Sequence, residues 1–139
     1  MQKLASVLLV DDDPITNFLH EQLLVSLGVT DNCLVAENGA AALTLLAELG
    51  ETLPPALVLL DVHMPVMGGI DFLEAYQQPP SRSPIIIILS TSEHPRDRLR
   101  LTSLPIADWI SKPLTRKKVS DLLQQHFHQQ LPAEDSAFA

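Results

Sequence analysis

The sequence predicts an α/β protein: a doubly wound sheet of five parallel strands with helices on both faces. Three observations carry this. Short apolar runs alternate five times with segments of helical period, the alternation that builds βαβ units. Two of the runs are apolar on both faces, as strands in the middle of a parallel sheet must be. Aliphatic residues are abundant while aromatic residues make up only 4% of the chain, which suits a core of Leu, Val, Ile and Ala between helices and a buried sheet.

The strands are expected at 4–10 (LASVLLV), 32–36 (NCLVA), 56–60 (ALVLL), 84–89 (PIIIIL) and 106–110 (IADWI). Between the first two, Ile15, Phe18, Leu19, Leu23 and Leu27 recur at helical spacing; Asp13 supplies the N-cap, Pro14 the first turn and Gly28 the stop. Ala42, Leu45, Leu46 and Leu49 form a second stripe, ended by Gly50 and the Pro54-Pro55 pair. A third helix is expected from Gly69 to Gln77, and a short basic fourth from Pro95 to Ser103. In the fifth, Val119, Leu122, Leu123 and Phe127 face inward, with Arg116, Lys117 and Lys118 outside its first turn. Residues 1–128 are read as one domain and 129–139 as an acidic tail too short to be an output domain.

Composition excludes several function classes. A net charge of −8 over 139 residues argues against nucleic acid, whose phosphates must be met by excess Lys and Arg. The charge is also uneven. Residues 1–80 hold eleven acids and one base, net −10, whereas 81–139 hold six acids and eight bases, net +2. Such asymmetry fits either solvated helix faces or an acidic pocket with a separate basic surface. Cys33 is the single cysteine, so there is no intrachain disulfide and no cysteine-based metal site, which suits a cytoplasmic protein. The longest apolar runs, such as IIIIL at 85–89, fall far short of a membrane span.

In doubly wound folds, ligands bind beyond the carboxyl ends of the strands. That selects the loops 11–14, 61–69, 90–94 and 111–113. The first holds Asp11, Asp12 and Asp13, and the second begins with Asp61. Carboxylates crowded at neighbouring strand ends repel one another unless a cation compensates, and an all-oxygen set suits a hard ion such as Mg²⁺. Mg²⁺ held by few carboxylates commonly shares its ligands with phosphate, which points to phosphoryl chemistry. Asp13 is more simply a helix cap. The fourth strand ends at Ser90, followed by Thr91 and Ser92, and the fifth runs into Lys112. Taken singly, the hydroxyls are turn residues and the lysine is surface decoration. Together, an acid pair, a single acid, a hydroxyl and a lysine at successive strand ends form a set suited to holding a phosphoryl group.

The segments LLVDDDP, LVLLDVHMPVMGG, IIIILSTS and WISKPLT, in this order and spacing, resemble the receiver domains of two-component response regulators, including the single-domain chemotaxis-type members. The resemblance covers residues 4–127. It implies a flavodoxin-like (βα)5 fold with strand order 2-1-3-4-5. It also implies that Asp61 takes a phosphoryl group from a sensor histidine kinase or a histidine phosphotransfer protein. Asp11, Asp12, Asp61 and the backbone carbonyl of His63 would hold Mg²⁺, with Asp12 the more direct of the first pair and Asp11 partly through water. Ser90 and Lys112 would bind the phosphoryl oxygens, and the Lys112-Pro113 bond would be cis. Ser90 and Trp109 would be the switch pair, although the family more often has Tyr or Phe at the second position and Thr at the first. Gly68 stands where a polar residue is frequent, while Gly69 matches the family's turn glycine. His63 and Ser92 would tune the lifetime of the phosphoryl group.

A downstream protein target would dock on the face of the fourth helix, fifth strand and fifth helix, which carries Arg96, Arg98, Arg100, Trp109, Arg116 and Lys117. The chain would act as a monomer or weak dimer without inserting into membranes. Two other readings differ in class. A haloacid dehalogenase-type phosphatase also uses a strand-end Asp with Mg²⁺ but wants a second Asp two residues on, where this chain has His63. A degenerate receiver would bind its partner without phosphorylation.

Overall fold

Ten elements alternate along the chain in a computed structural model that describes residues 2–50, 53–76, 84–90 and 95–131, with side chains from 98 onward in the last segment. They are β1 (Val7–Val10), α1 (Pro14–Ser26), β2 (Cys33–Ala36), α2 (Gly39–Leu49), β3 (Leu57–Leu60), α3 (Gly69–Ala75), β4 (Ile85–Ser90), α4 (Pro95–Leu101), β5 (Asp108–Ser111) and α5 (Arg116–Phe127). The strands are parallel and ordered β2-β1-β3-β4-β5, so the chain reverses direction across the sheet between β1 and β3.

The apolar runs are buried on both faces because alternate side chains feed two cores. Leu8, Val10, Val58, Leu60, Ile86 and Ile88 pack with Ala42, Leu46, Phe72, Leu73 and Leu101, from α2, α3 and α4. Val7, Leu9, Leu57, Leu59, Ile87 and Leu89 pack with Leu24 of α1 and with Val119, Leu122 and Leu123 of α5. Each such aliphatic side chain contributes about 1.5–3 kcal/mol by leaving water.

The elements are shorter than expected at several ends. β1 begins at Val7, with Leu4 making only an isolated bridge to Thr30, and β5 is displaced to Asp108–Ser111. α4 stops at Leu101, and Gln77, Thr91, Ser92 and the tail from 132 lie outside the described residues, as does the Arg96 side chain.

The largest correction concerns α1. Its apolar stripe faces the core only in part: Leu23 and Leu27 pack against it, whereas Ile15, Phe18 and Leu19 are exposed, Phe18 to 59%, and Asn17, His20 and Leu24 are buried. The physical reason is position. The first two turns of α1 lie over the loops at the carboxyl edge of the sheet, where polar backbone must be satisfied, and from Leu23 on the helix covers apolar core. Lys118 is a second correction. It turns back to donate to the carbonyls of Ser111 (2.8 Å) and Pro113 (3.0 Å) rather than pointing outward.

Asp13 caps α1 as expected, accepting from the Ile15 N–H at 3.0 Å and the Thr16 hydroxyl at 2.8 Å. The Thr16 bond, with the Ile15 bond behind it, lowers the Asp13 pKa below 3.8. Asp13→Ala is expected to lower the melting temperature by about 4 °C at neutral pH. Because the folded pKa is depressed, the cap's contribution is present above pH 3.8 and is lost as pH falls through the folded value. Melts of both proteins across that range check this.

Candidate functional site

Main-chain hydrogen bonds carry each site residue one step past the end of its strand. Val10 pairs with Leu60 across β1 and β3, and the next N–H, that of Asp61, donates to the Val10 carbonyl at 2.9 Å. The Asp11 N–H donates to Ala36 at 3.1 Å, and the Lys112 N–H to Ser90 at 2.8 Å. The sheet ladder thereby sets side by side the residues that follow β1, β3 and β5. The Lys112-Pro113 peptide is cis.

The side chains converge. Ligand oxygens of Asp11, Asp12 and Asp61 all lie within 4.8 Å of one another. Asp11 (5% exposed) and Asp61 (8%) are buried, and Asp12 is exposed. The Lys112 ammonium is ion-paired with Asp11 Oδ2 and sits 3.5 Å from Asp61 Oδ2. Asp11 Oδ1 accepts from the Asp13 N–H and Asp61 Oδ1 from the Val62 N–H, both at 2.9 Å. Among the described residues one ammonium faces three carboxylates, which leaves the pocket short of positive charge. Burial raises the Asp61 pKa, Lys112 pulls it down, and the neighbouring Asp11 pushes it up. The residues fit a hard divalent cation: the donors are all oxygen, they are already gathered, and the excess charge is of the sign a metal would offset.

Ser90 closes β4 with 3% of its surface exposed, and Trp109 is half-buried on β5, the Arg98 guanidinium 5.5 Å from its ring. Beside Trp109 a cleft of about 340 Å³ is lined by Arg98, Leu101, Thr102, Ile106 and Asp108. His63 is exposed on the β3–α3 loop, across which Gly69 donates to the Val62 carbonyl at 2.8 Å. Of the remaining basic residues on the expected partner face, Arg100 pairs with Glu74, and Lys117 with Asp121 at 3.1 Å.

Sequence reasoning missed Asn17 and His20. Asn17 Nδ2 donates to the Asp11 carbonyl at 2.9 Å, and His20 Nε2 accepts from the Leu114 N–H at 3.4 Å. Burial lowers the His20 pKa, helped by the Lys112 ammonium and opposed by Asp11, which favours the neutral imidazole that its acceptor role requires. The sequence carried little signal for them, because α1 also holds Thr16, Glu21, Gln22 and Ser26, among which this polar pair does not stand out.

A 2-1-3-4-5 parallel sheet with an acidic pocket at its carboxyl edge defines the class, a flavodoxin-like signalling module of the chemotaxis-receiver type. The profile of the response regulator receiver domain matches residues 7–124, and the chain belongs to that family. It is 29% identical to the two-component response regulator ARR22 of Arabidopsis thaliana, over 91% of this chain and 86% of that protein. It is 26% identical to the probable C4-dicarboxylate response regulator DctR of Bacillus subtilis, over 94% of this chain but 56% of that longer protein. Its fold matches a two-component response regulator from Cytophaga hutchinsonii with a TM-score of 0.79 and 30% identity, over 92% of this chain and all of that one. Receiver domains accept phosphoryl groups and are phosphorylated by histidine kinases. Among the described residues no helix is long and apolar enough to cross a membrane.

Proposed function

We propose that this chain accepts a phosphoryl group on Asp61 from the phosphohistidine of a sensor kinase or histidine phosphotransfer protein, with Mg²⁺, and signals by docking or by passing the group on. One observation carries the reading: a buried strand-end carboxylate with two others within 4.8 Å and an ammonium at 3.5 Å. In the transfer an Asp61 carboxylate oxygen attacks phosphorus, the P–N bond to the donor imidazole breaks, and the imidazole leaves with that electron pair. Asp11, Asp12, Asp61 and the His63 carbonyl would hold the Mg²⁺, which when bound neutralises charge on the phosphoryl oxygens. Lys112 and the Ser90 hydroxyl take the remaining phosphoryl oxygens. His63 and Ser92, as the resemblance implies, tune the lifetime of the acyl phosphate.

Movement of Ser90 and Trp109 then reports the state to the α4–β5–α5 face. The donor approaches from the other side of the pocket, along the exposed Ile15, Phe18 and Leu19 of α1, since that helix starts directly beyond Asp13. An apolar strip at the rim of a charged pocket suits a helical partner that must exclude water around the transfer.

Incubation with Mg²⁺ and a small phosphodonor tests this. Intact mass should show one phosphoryl group on the wild type and none on Asp61→Asn, and chelation of Mg²⁺ should abolish the gain. An unphosphorylated wild type, or an Asp61→Asn variant that gains equally, overturns the reading.

A further inference from the structure

The underside of α1 carries polar groups where a helix lying on a sheet ordinarily carries apolar ones. Asn17 and His20 are each 4% exposed and stand three residues apart, so both project from one side of the helix. Each bonds a different loop of the pocket. Asn17 holds the carbonyl of Asp11, and His20 holds the N–H of Leu114, two residues past Lys112. The Asp11 carboxylate in turn pairs with the Lys112 ammonium. The bonds close a circuit: Lys112 to Asp11, Asp11 to Asn17, along one turn of helix to His20, then to Leu114 and back along the chain to Lys112.

This circuit is a costly way to fill space. The Asn17 Oδ1 is buried with no partner among the described residues, and a buried polar atom left unbonded is destabilising. A leucine at position 17 would remove that orphaned oxygen, but a leucine at either position would leave the Asp11 carbonyl or the Leu114 N–H without its side-chain partner. What the polar pair supplies is geometry. A lysine side chain has several free torsions, and its ammonium reaches both Asp11 and Asp61 only if the two loops keep their separation.

We infer that Asn17 and His20 are positioning residues for phosphoryl transfer: from the buried face of α1 they clamp the Asp11 and Lys112 loops at the spacing that aims the lysine at Asp61. The inference rests on the reading of Asp61 as the phosphoacceptor. A displacement of about 1 Å in such a group is enough to cost one to two orders of magnitude in rate.

The test compares wild type, His20→Leu, His20→Gln and Asn17→Leu for the rate of Asp61 phosphorylation from a small phosphodonor, titrating Mg²⁺ and recording thermal melts. His20→Leu removes the acceptor and should slow the reaction about tenfold at saturating Mg²⁺ while leaving the half-saturating Mg²⁺ concentration nearly unchanged. His20→Gln places a carbonyl oxygen near the lost nitrogen and should recover most of the rate. Asn17→Leu releases the Asp11 loop and should instead raise the half-saturating Mg²⁺ concentration. Failure of the wild type to be phosphorylated would remove the Asp61 reading itself. With the wild type active, a folded His20→Leu at the wild-type rate, or a His20→Gln as slow as His20→Leu, overturns the positioning role. Should His20→Leu not fold, a slow His20→Gln or an Asn17→Leu with wild-type Mg²⁺ dependence does the same.

Discussion

Lys112→Ala is expected to slow phosphorylation of Asp61 by about 10²–10³-fold, the usual effect of removing one preorganised group that stabilises developing charge. The reason is visible in the charge count. Lys112 is the ammonium paired to both Asp11 and Asp61, in a pocket that already gathers three carboxylates. A time course of intact mass with a small phosphodonor and Mg²⁺ measures the loss. The same variant should shift a titration. Burial raises the Asp61 pKa and Lys112 is the first influence holding it down, so in the metal-free variant the carboxyl should titrate at still higher pH, as NMR of the side chain would show. The sign for stability follows. A carboxyl whose folded pKa is raised costs stability as pH climbs from its unfolded value through the folded one, so the variant's deficit should grow over that window.

Gly69→Ala should be the most destabilising single methyl addition near the pocket. A Cβ at Gly69 would lie 2.3 Å from the Asp61 carbonyl oxygen and 3.0 Å from the Val62 Cα, so backbone must move on both counts. A loss of about 3 kcal/mol in urea denaturation is expected, because overpacking against main chain cannot be relieved by changing a rotamer. Gly28 supplies the contrast. Its φ of 76° disfavours a side chain, yet nothing lies within 4 Å of the added carbon, and Gly28→Ala should cost only about 1 kcal/mol. The clash at Gly69 falls on Asp61, the proposed phosphoacceptor, so whatever of the variant folds should also phosphorylate slowly.

The sheet and the acidic pocket were legible in the sequence because both depend on local pattern. IIIIL and LVLL can hardly be anything but buried strands, and in a doubly wound fold the residue after such a run is at the ligand edge. Asp11, Asp12, Asp61 and Lys112 therefore came together as the strand ends foretold. The orientation of α1 was not legible. Helical period identifies a stripe but does not say what it will face, and Ile15, Phe18 and Leu19 form as good a stripe as any buried one. What turned the helix was the requirement to satisfy the Asp11 carbonyl and the Leu114 N–H, two main-chain groups brought beneath α1 by parts of the chain about a hundred residues apart. Lys118 escaped for the same reason, since its acceptors at Ser111 and Pro113 exist only once the loop before α5 has formed.

The two sides of α1 thus face different constraints. The underside is bonded to the Asp11 carbonyl and the Leu114 N–H, and on the positioning role inferred above its residues would not change without disturbing the pocket. On the outer side Ile15, Phe18 and Leu19 are exposed. With the donor docking as proposed, substitutions there would redraw which donors are admitted while the reaction behind them stays the same, so partner choice and chemistry would diverge along separate lines within a single helix of thirteen residues.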